Sequence, residues 1–235
     1  MKQFHRTAAI VAIGLALMAH PRALFAEEGS ESPCDELTEN SNGQDITTFP
    51  LYPDPAVVGC LADDSGSPPT AVATVKRGKL NDRMCLRLEH IKPGLDFDLF
   101  TVERSKLRSD GTVDPDFVNK FNKSFGLAWY QSDIEIKDTG RKAGTGTVTV
   151  KTILLDQIFG FDADIGLNPV NTFEVGFWFN DPEDAANCGF TGFTPFNGEH
   201  HAGPLAMISV PNPDTQLGPL CLNPDTSTNP PHCNP

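Results

Sequence analysis

The 235-residue chain lacks several patterns by which membrane proteins and enzymes are recognised. After the N-terminal region, no apolar run approaches the ~18 residues that a membrane-spanning helix needs. No two cysteines have the CxxC spacing of zinc ribbons and redox-active disulfides. The Gly-x-Ser-x-Gly turn of α/β-hydrolases is also absent. We therefore expect no transmembrane segment in the mature chain, and we find no complete catalytic motif.

Basic residues are scarce: 18 Lys and Arg stand against 31 Asp and Glu, which gives a net charge of −13 at pH 7. Without residues 1–26, which hold three bases and no acid, 15 bases against 31 acids leave −16. Such a surface repels nucleic-acid phosphates, so we expect no nucleic-acid partner. It also disfavours docking on anionic lipid.

The first 26 residues have the order of a secretory signal peptide. A basic start with Lys2 and Arg6 precedes an apolar run over residues 7–19, and Ala26 offers a small residue for cleavage before the acid Glu27. This order predicts export, to the periplasm or the extracellular medium. In either compartment the six cysteines meet oxidising conditions and form structural disulfides.

Composition divides the chain into four predicted segments. An acidic, polar stretch follows the signal peptide, then short apolar runs alternate with turn residues, and the last 25 residues hold seven prolines. We expect a signal peptide at 1–26, an acidic flexible leader at 27–53, a β-sandwich domain at 54–210 and a proline-rich tail with a disulfide loop at 211–235.

The central segment predicts an all-β fold, an antiparallel β-sandwich of the Ig-like or jelly-roll-like kind with short helices. About eight short runs rich in β-branched and aromatic residues lie between Gly, Pro, Asp and Asn, and no βαβ pattern occurs. Lys92-Pro93-Gly94 predicts the turn of a hairpin. Asp114-Pro115 and Asp181-Pro182 predict helix starts.

Six cysteines allow 15 pairings, among which the sequence does not choose. Pairing neighbours at the two ends of the chain gives one working hypothesis. It joins Cys34 to Cys60, Cys221 to Cys233, and Cys85 to Cys188.

The densest set of potential metal ligands is Glu199, His200 and His201, in a loop between Gly198 and Gly203. Imidazole and carboxylate groups bind zinc or copper, and His90 is the candidate for a further ligand. Adjacent residues on a strand point to opposite faces, so the two histidines share an ion only in an irregular loop. The alternative is a tight turn held by hydrogen bonds of Asn197, Glu199 and one histidine.

Two acidic loops are weaker candidates for calcium. Residues 110–116 lack the Asp-x-Asp-x-Asp-Gly order, and in residues 162–166 the glycine comes one place early. Helix capping and turn formation explain both loops. Asp64-Ser65-Gly66 has the centre of a serine nucleophile turn but lies in a simple proline-flanked loop.

Aromatic residues provide a candidate ligand surface. Trp129, Tyr130, Gln131 and Trp178, with Asn197 as a further amide, have the flat faces and hydrogen-bonding groups that sugar rings need. The partner would be a glycan or another envelope component. The alternative is that these aromatic residues belong to the core. Asp133 and Glu135 lie on one strand face, as an acid–base pair or as an exposed acidic stripe.

Three segments resemble a group of exported bacterial proteins. They are GLAWYQSDIE at 126–135, the residues around Phe177-Trp178-Phe179-Asn180, and TPFNGEHHAG at 194–203. The resemblance implies bacterial export and a shared β domain, and it implies no activity.

A shorter likeness connects Cys188, Phe196-Asn197, His200 and Ala202-Gly203-Pro204 to the zinc loop of copper–zinc superoxide dismutase. That family's copper pair, His-x-His, would fall at 177–179, where this chain has Phe-Trp-Phe. The likeness therefore lacks its metal ligands. The sequence as a whole predicts an exported binding or envelope-associated module. The alternative is a metal-binding protein or metal-dependent enzyme that uses the loop at 199–201.

Overall fold

The fold was analysed in a computed structural model, which describes residues 34–38, 46–79, 81–126, 128–138, 146–155, 160–162, 167–170, 174–190, 203–221 and 223–234. The described elements are, in chain order, α1 (Asp35–Thr38), β1 (Ile46–Pro53), α2 (Val58–Leu61), β2 (Thr70–Lys76), β3 (Asn81–Ile91), β4 (Asp96–Val102), α3 (Pro115–Asn119), β5 (Ala128–Glu135), β6 (Gly146–Leu155), β7 (Gly160–Asp162), β8 (Leu167–Val170), β9 (Glu174–Phe179), α4 (Pro182–Asn187), β10 (Leu205–Ile208), β11 (Pro224–Asp225) and β12 (His232–Cys233). These helices have four to six residues each. Over the ranges given above, no helix is long and apolar enough to cross a membrane.

Eight strands form one antiparallel sheet in the order β5-β4-β9-β10-β1-β2-β3-β6. The strand β1 joins its two halves, because it pairs with β2 over its first six residues and with β10 only at Tyr52 and Pro53. The end strands also meet: the hydroxyl of Thr152 on β6 donates to the carbonyl of Gln131 on β5 at 3.3 Å. The predicted antiparallel all-β fold is confirmed, and the sheet is barrel-like rather than a clear two-sheet sandwich.

The predicted hairpin at Lys92-Pro93-Gly94 is wrong, although the turn itself is present. Gly94 has a positive φ of 85°, yet β3 pairs with β2 and β6 while β4 pairs with β5 and β9. The amide of Lys92 donates to the carbonyl of Leu61, and the amide of Gly94 to that of Ile136, both at 2.8 Å. The turn carries the chain from one half of the sheet to the other. Local turn chemistry does not specify which strands pair afterwards.

The main hydrophobic core lies between the two halves of the curled sheet. Alternating residues of each strand face inwards, as the period of two requires. The aromatic centre of this core is Phe97 on β4, whose ring centroid lies 5.0 Å from that of Phe177 and 5.1 Å from that of Phe179 on β9. The opposite half contributes fully buried aliphatic side chains of β3, namely Met84, Leu86 and Leu88.

A second core cluster lies on the outer face of β4, β9 and β10, under residues 103–126. The helix α3 in this segment starts as predicted, because the Asp114 carboxylate accepts from the Asp116 amide and Pro115 occupies the first turn. The members of this second core cluster are Phe100, Val102, Leu107, Phe117, Phe125, Trp178, Leu205 and Ile208. The covering segment therefore buries aromatic side chains that a bare strand face would expose.

The leader ends earlier than expected. Residues 46–53 form β1 in the middle of the sheet, so the boundary at residue 54 is wrong. The sequence did not indicate this strand, because it contains two prolines, Pro50 and Pro53. Pro50 lies where β1 has only β2 as a partner, the edge-like position in which a missing amide hydrogen is tolerated.

All six cysteines form disulfides, which are Cys34–Cys85, Cys60–Cys188 and Cys221–Cys233. The predicted pairing is confirmed for Cys221–Cys233 and wrong for the other four residues. The sheet explains the difference: the buried Cys85 on β3 holds α1, and Cys60 in α2 meets the end of α4. Sequence proximity does not show these approaches.

The proline-rich tail packs on the sheet. Leu217 and Leu220 are buried, and Leu220 belongs to the main core. The strands β11 and β12 pair only with each other and place the Cys221–Cys233 disulfide close to the chain end. No described tail residue pairs within the large sheet.

Candidate functional site

Two of the predicted ligand-binding aromatic residues are exposed on β5, the end strand of the sheet. Trp129 is 47% exposed and Tyr130 is 53% exposed. The pairing with β4 shifts at this point, because Leu99 is opposite Ser132 while Phe100 is opposite Tyr130. Such a bulge twists a strand and re-aims its side chains. Consecutive residues of a strand face opposite sides, so the two rings lie on either side of β5, and a ligand contacts both by passing over this strand.

The Tyr130 ring is held in place although half of it is exposed. Its edge packs on Phe100 with 5.7 Å between ring centroids, and its hydroxyl donates to Asp133 Oδ1 at 2.8 Å. Loss of water around the ring, the hydrogen bond to Asp133, and the charges of Asp133 and Asp98 raise the pKa of Tyr130 to about 12. The phenol therefore stays neutral and can donate a hydrogen bond throughout the physiological range.

Gln131 organises the bulge. Its side-chain amide donates to the Thr101 hydroxyl at 3.1 Å and to the Trp129 carbonyl at 3.2 Å. Its main-chain carbonyl accepts from Thr152 of the other end strand. Gln131 thus fixes the backbone that carries Trp129, and its assignment as a ligand contact stays a prediction.

Trp178 does not lie on this surface. It is 0% exposed and packs edge-to-face against Phe100 and Phe125, with centroids 5.6 Å and 4.9 Å away. Its strand, β9, is interior to the sheet, and residues 103–126 cover the outer face. The assignment of Trp178 to an exposed ligand platform is therefore wrong, and the core alternative holds for this residue.

A row of carboxylates, which we call the acidic row, runs beside Tyr130 on β4 and β5. Asp98 is directly opposite Asp133, and Asp96 is opposite Glu135. Partial burial, and after it the charges of Glu135 and Asp181, raise the pKa of Asp96. Asp98 accepts a hydrogen bond from the Asn180 amide at 3.1 Å. The acidic row gives this part of the surface a strong negative potential.

His90 lies in a second polar arrangement, at a bulge of β3. Its φ of 60° is in the left-handed region, and the pairing with β6 shifts between Glu89 and Ile91. Its Nδ1 lies 3.1 Å from the Ser65 hydroxyl and 3.7 Å from a carboxylate oxygen of Asp63. Asp63 has a fully buried side chain, whereas that of His90 is 38% exposed.

Hydrogen bonds hold Asp63 ionised. Burial opposes ionisation, but bonds from the Ser65 hydroxyl, the Ser65 amide and the Gly146 amide outweigh it and lower the pKa of Asp63. The Ser65 amide lies 2.8 Å and the Gly146 amide 3.3 Å from the carboxylate. Sequence reasoning missed Asp63. The available signal was an Asp two residues before a Ser, the pattern of an Asx turn.

This arrangement of Ser, His and Asp does not have the geometry of a nucleophilic triad. In a triad, the serine faces one ring nitrogen and the acid holds the other. Here the hydroxyl of Ser65 and the carboxylate of Asp63 both face Nδ1 of His90, and the Ser65 oxygen also accepts from the Ser67 amide at 3.0 Å. The contacts fasten the loop after α2 to β3.

The remaining candidate metal ligands cannot be placed. Glu199, His200 and His201 lie outside the described residues, as does Asn197. Within the part of the chain that the structure describes, no three His, Cys, Asp or Glu side chains come together as a metal site. The zinc or copper site therefore stays a prediction of the sequence.

At the first calcium candidate, the carboxylates serve the turn and the helix. Asp110 accepts from the amide of Thr112 at 2.9 Å and from its hydroxyl at 2.6 Å, and these bonds lower the pKa of Asp110. Asp114 caps α3. The turn-and-cap alternative explains this loop, while residues 163–166 of the second loop lie outside the described ranges.

No family model, curated protein or solved structure matches this chain. The resemblance to exported bacterial proteins therefore stays a prediction, and the function has to be argued from the side chains above.

Proposed function

We propose that the protein is an exported binding module that contacts a glycan or another envelope component through β5. Two large aromatic side chains, Trp129 and Tyr130, carry this proposal, because each is about half exposed on an end strand. Exposed aromatic rings beside fixed hydrogen-bonding groups suit sugar rings, which have apolar faces and a rim of hydroxyls. The rings are also held in advance by Phe100 and by the Gln131 hydrogen bonds.

The charges beside β5 narrow the class of ligand. The acidic row places Asp98 and Asp133 directly opposite each other next to Tyr130. A uronic or sulfated sugar would be repelled here, whereas a neutral or amino sugar would be accepted. We therefore propose a glycan without acidic groups as the ligand of this surface.

Export is supported by two independent features. The N-terminal 26 residues have the order of a signal peptide, and all six cysteines are joined in disulfides, which persist in oxidising compartments. Disulfides also suit a binding module that works outside the cell, since they limit unfolding without a cofactor.

The two tryptophans of the chain allow a direct test. Trp129 is exposed and Trp178 is buried, so a neutral oligosaccharide that stacks on β5 should change the fluorescence of Trp129 alone. Titration of the mature protein with neutral and amino oligosaccharides should give a saturable change that is lost in Trp129→Phe. The matched control, Tyr52→Phe, alters another partly exposed aromatic residue and should keep the change. A saturable change that persists in Trp129→Phe would contradict the proposal.

A further inference from the structure

A pocket of about 390 Å³ on the outer face of β2 and β3 is lined mainly by cations, in a chain whose net charge is −13. Its lining includes four basic side chains, Lys76, Arg77, Lys79 and Arg83, together with Asn81 and Ile153. A smaller cavity of about 200 Å³ adjoins it and shares Arg83 and Ile153. Sequence reasoning missed these residues, although Lys76-Arg77-Gly78-Lys79 is a local basic cluster in an acidic chain. Ile153 joins them from β6.

Two of the cations face each other across the ladder. Lys76 on β2 is the direct register partner of Arg83 on β3, and like charges in this position destabilise a sheet. Other bases on this face have acidic partners: Arg87 pairs with Glu89 at 2.6 Å. Among the described residues, no carboxylate lies within 4.0 Å of the charged groups of Lys76, Lys79 or Arg83. The pocket therefore holds positive charge that the described protein groups leave uncompensated.

Hydrogen bonds fix Arg77 and Gly78, which line one side of the pocket. The buried carboxylate of Asp82 accepts from the Arg77 guanidinium and, at 3.1 Å, from the Gly78 amide. Arg77 also donates to the carbonyl of Leu220 in the tail. A Cβ at position 78 would come within 2.2 Å of the Asn81 carbonyl oxygen, so the turn requires glycine. Arg77 and Asp82 thus hold the turn, and the other three cations remain available for a ligand.

We infer that this pocket binds a phosphate group. A phosphate carries up to two negative charges and several acceptor oxygens, which match the Arg83 guanidinium and the two lysine ammonium groups. The exposed side chain of Ile153, 59% accessible at the rim, provides an apolar contact for the group to which the phosphate is attached. The inference goes beyond the proposed function, because the glycan surface on β5 is acidic and this pocket is basic. The glycan proposal and the phosphate inference can therefore each fail without the other.

The first experiment titrates the mature protein with inorganic pyrophosphate at low ionic strength, followed by calorimetry. Wild type should bind about one pyrophosphate per chain, and Lys76→Gln/Arg83→Gln should weaken binding at least about tenfold because each lost ion pair is charge-assisted. The control, Arg87→Gln/Lys137→Gln, removes the same charge from two exposed ion pairs outside the pocket and should bind within about twofold of wild type. No binding by wild type, or an equal loss in both double variants, would overturn the inference.

A second variant tests the repulsion between Lys76 and Arg83. Lys76→Glu places a carboxylate opposite Arg83 and should raise the melting temperature without any anion. Pyrophosphate should raise the melting temperature of wild type and leave that of Lys76→Glu unchanged, each compared with chloride at equal ionic strength. Stabilisation of Lys76→Glu by pyrophosphate equal to that of wild type would contradict the assignment.

The phosphate has two possible sources, a soluble phosphate ester or a lipid headgroup. Co-sedimentation with phosphatidic acid vesicles, compared with phosphatidylcholine vesicles, separates them. Pyrophosphate binding without sedimentation assigns a soluble compound, and sedimentation that Lys76→Gln/Arg83→Gln abolishes assigns a headgroup. Sedimentation unchanged in that variant, together with no pyrophosphate binding, overturns the inference.

Discussion

Ser209 donates a hydrogen bond from its hydroxyl to Oε2 of the buried Glu174 at 2.6 Å. The same hydroxyl oxygen accepts from the Val175 amide at 2.8 Å, and the Ser209 carbonyl accepts from the Ser105 hydroxyl at 2.8 Å. Burial raises the pKa of Glu174 to about 7, against the opposing effect of the Ser209 bond. A carboxyl group that takes up a proton near neutral pH is thus built into the sheet where β9 begins.

Glu174 should make the stability of the protein fall as the pH rises. Its pKa is about 7 in the folded protein against an ordinary value of 4.5, so the native state holds an extra proton between these limits. The contribution of this proton to the free energy of unfolding is fully present below about pH 4.5 and is lost as the pH approaches and passes 7. Its full size is roughly 3 kcal/mol. Urea unfolding of wild type between pH 4.5 and 8 should show this decrease.

Glu174→Gln should remove the decrease in stability that Glu174 causes as the pH rises, and it should make the protein more stable than wild type at pH 8. The matched control is Glu183→Gln, which neutralises an exposed residue of α4 and should retain the wild-type pH dependence. Identical pH profiles for wild type and Glu174→Gln would contradict a raised pKa of Glu174 in the folded protein.

Asp63 should contribute stability in the opposite pH range. Its pKa is lowered in the folded protein, so the stabilisation is complete above the ordinary value of 3.8 and is lost as the pH falls through the folded pKa. Asp63→Ala leaves the Ser65 and Gly146 amides without their acceptor and should cost about 3 kcal/mol at pH 7. The exposed neighbour gives the control, since Asp64→Ala should change the free energy of unfolding by less than about 0.5 kcal/mol. Equal effects of the two substitutions would contradict this role.

The disulfides should differ in their contribution to stability. Cys60–Cys188 closes a separation of 128 residues and Cys221–Cys233 one of 12. In the chain-entropy model the longer loop is worth nearly 5 kcal/mol and the shorter about 3 kcal/mol. Double Cys→Ala variants of each pair, compared by urea unfolding, should show the larger loss for Cys60–Cys188. A larger loss for the C-terminal pair would contradict this order.

The sequence predicts local features of the fold better than the neighbours of each strand. Alternation and turn residues correctly indicate an antiparallel all-β protein, and Asp114-Pro115 correctly indicates the start of α3. Which strands pair depends on contacts between distant residues. The hairpin at Lys92-Pro93-Gly94 and the disulfide from Cys34 to Cys60 were wrong for that reason.

The candidate site shows the same limit in its two tryptophans. Trp129 and Trp178 lie in similar alternating runs, but β5 is an end strand and β9 is interior and covered by residues 103–126. Exposure therefore depends on strand order, which no local pattern contains. The Asp63, Ser65 and His90 arrangement and the facing cations Lys76 and Arg83 also arise only from pairing.

The most direct test of the proposed function is binding to an immobilised glycan panel that contains neutral, amino and acidic sugars. Wild type should bind members of the neutral or amino classes and none that depend on acidic groups. Trp129→Ala and Tyr130→Ala should each lose that binding, and Tyr52→Ala, which alters a partly exposed aromatic residue of β1, should keep it. Absence of binding to every neutral and amino glycan, or retention of binding in both β5 variants, would contradict the proposal that β5 is the ligand surface.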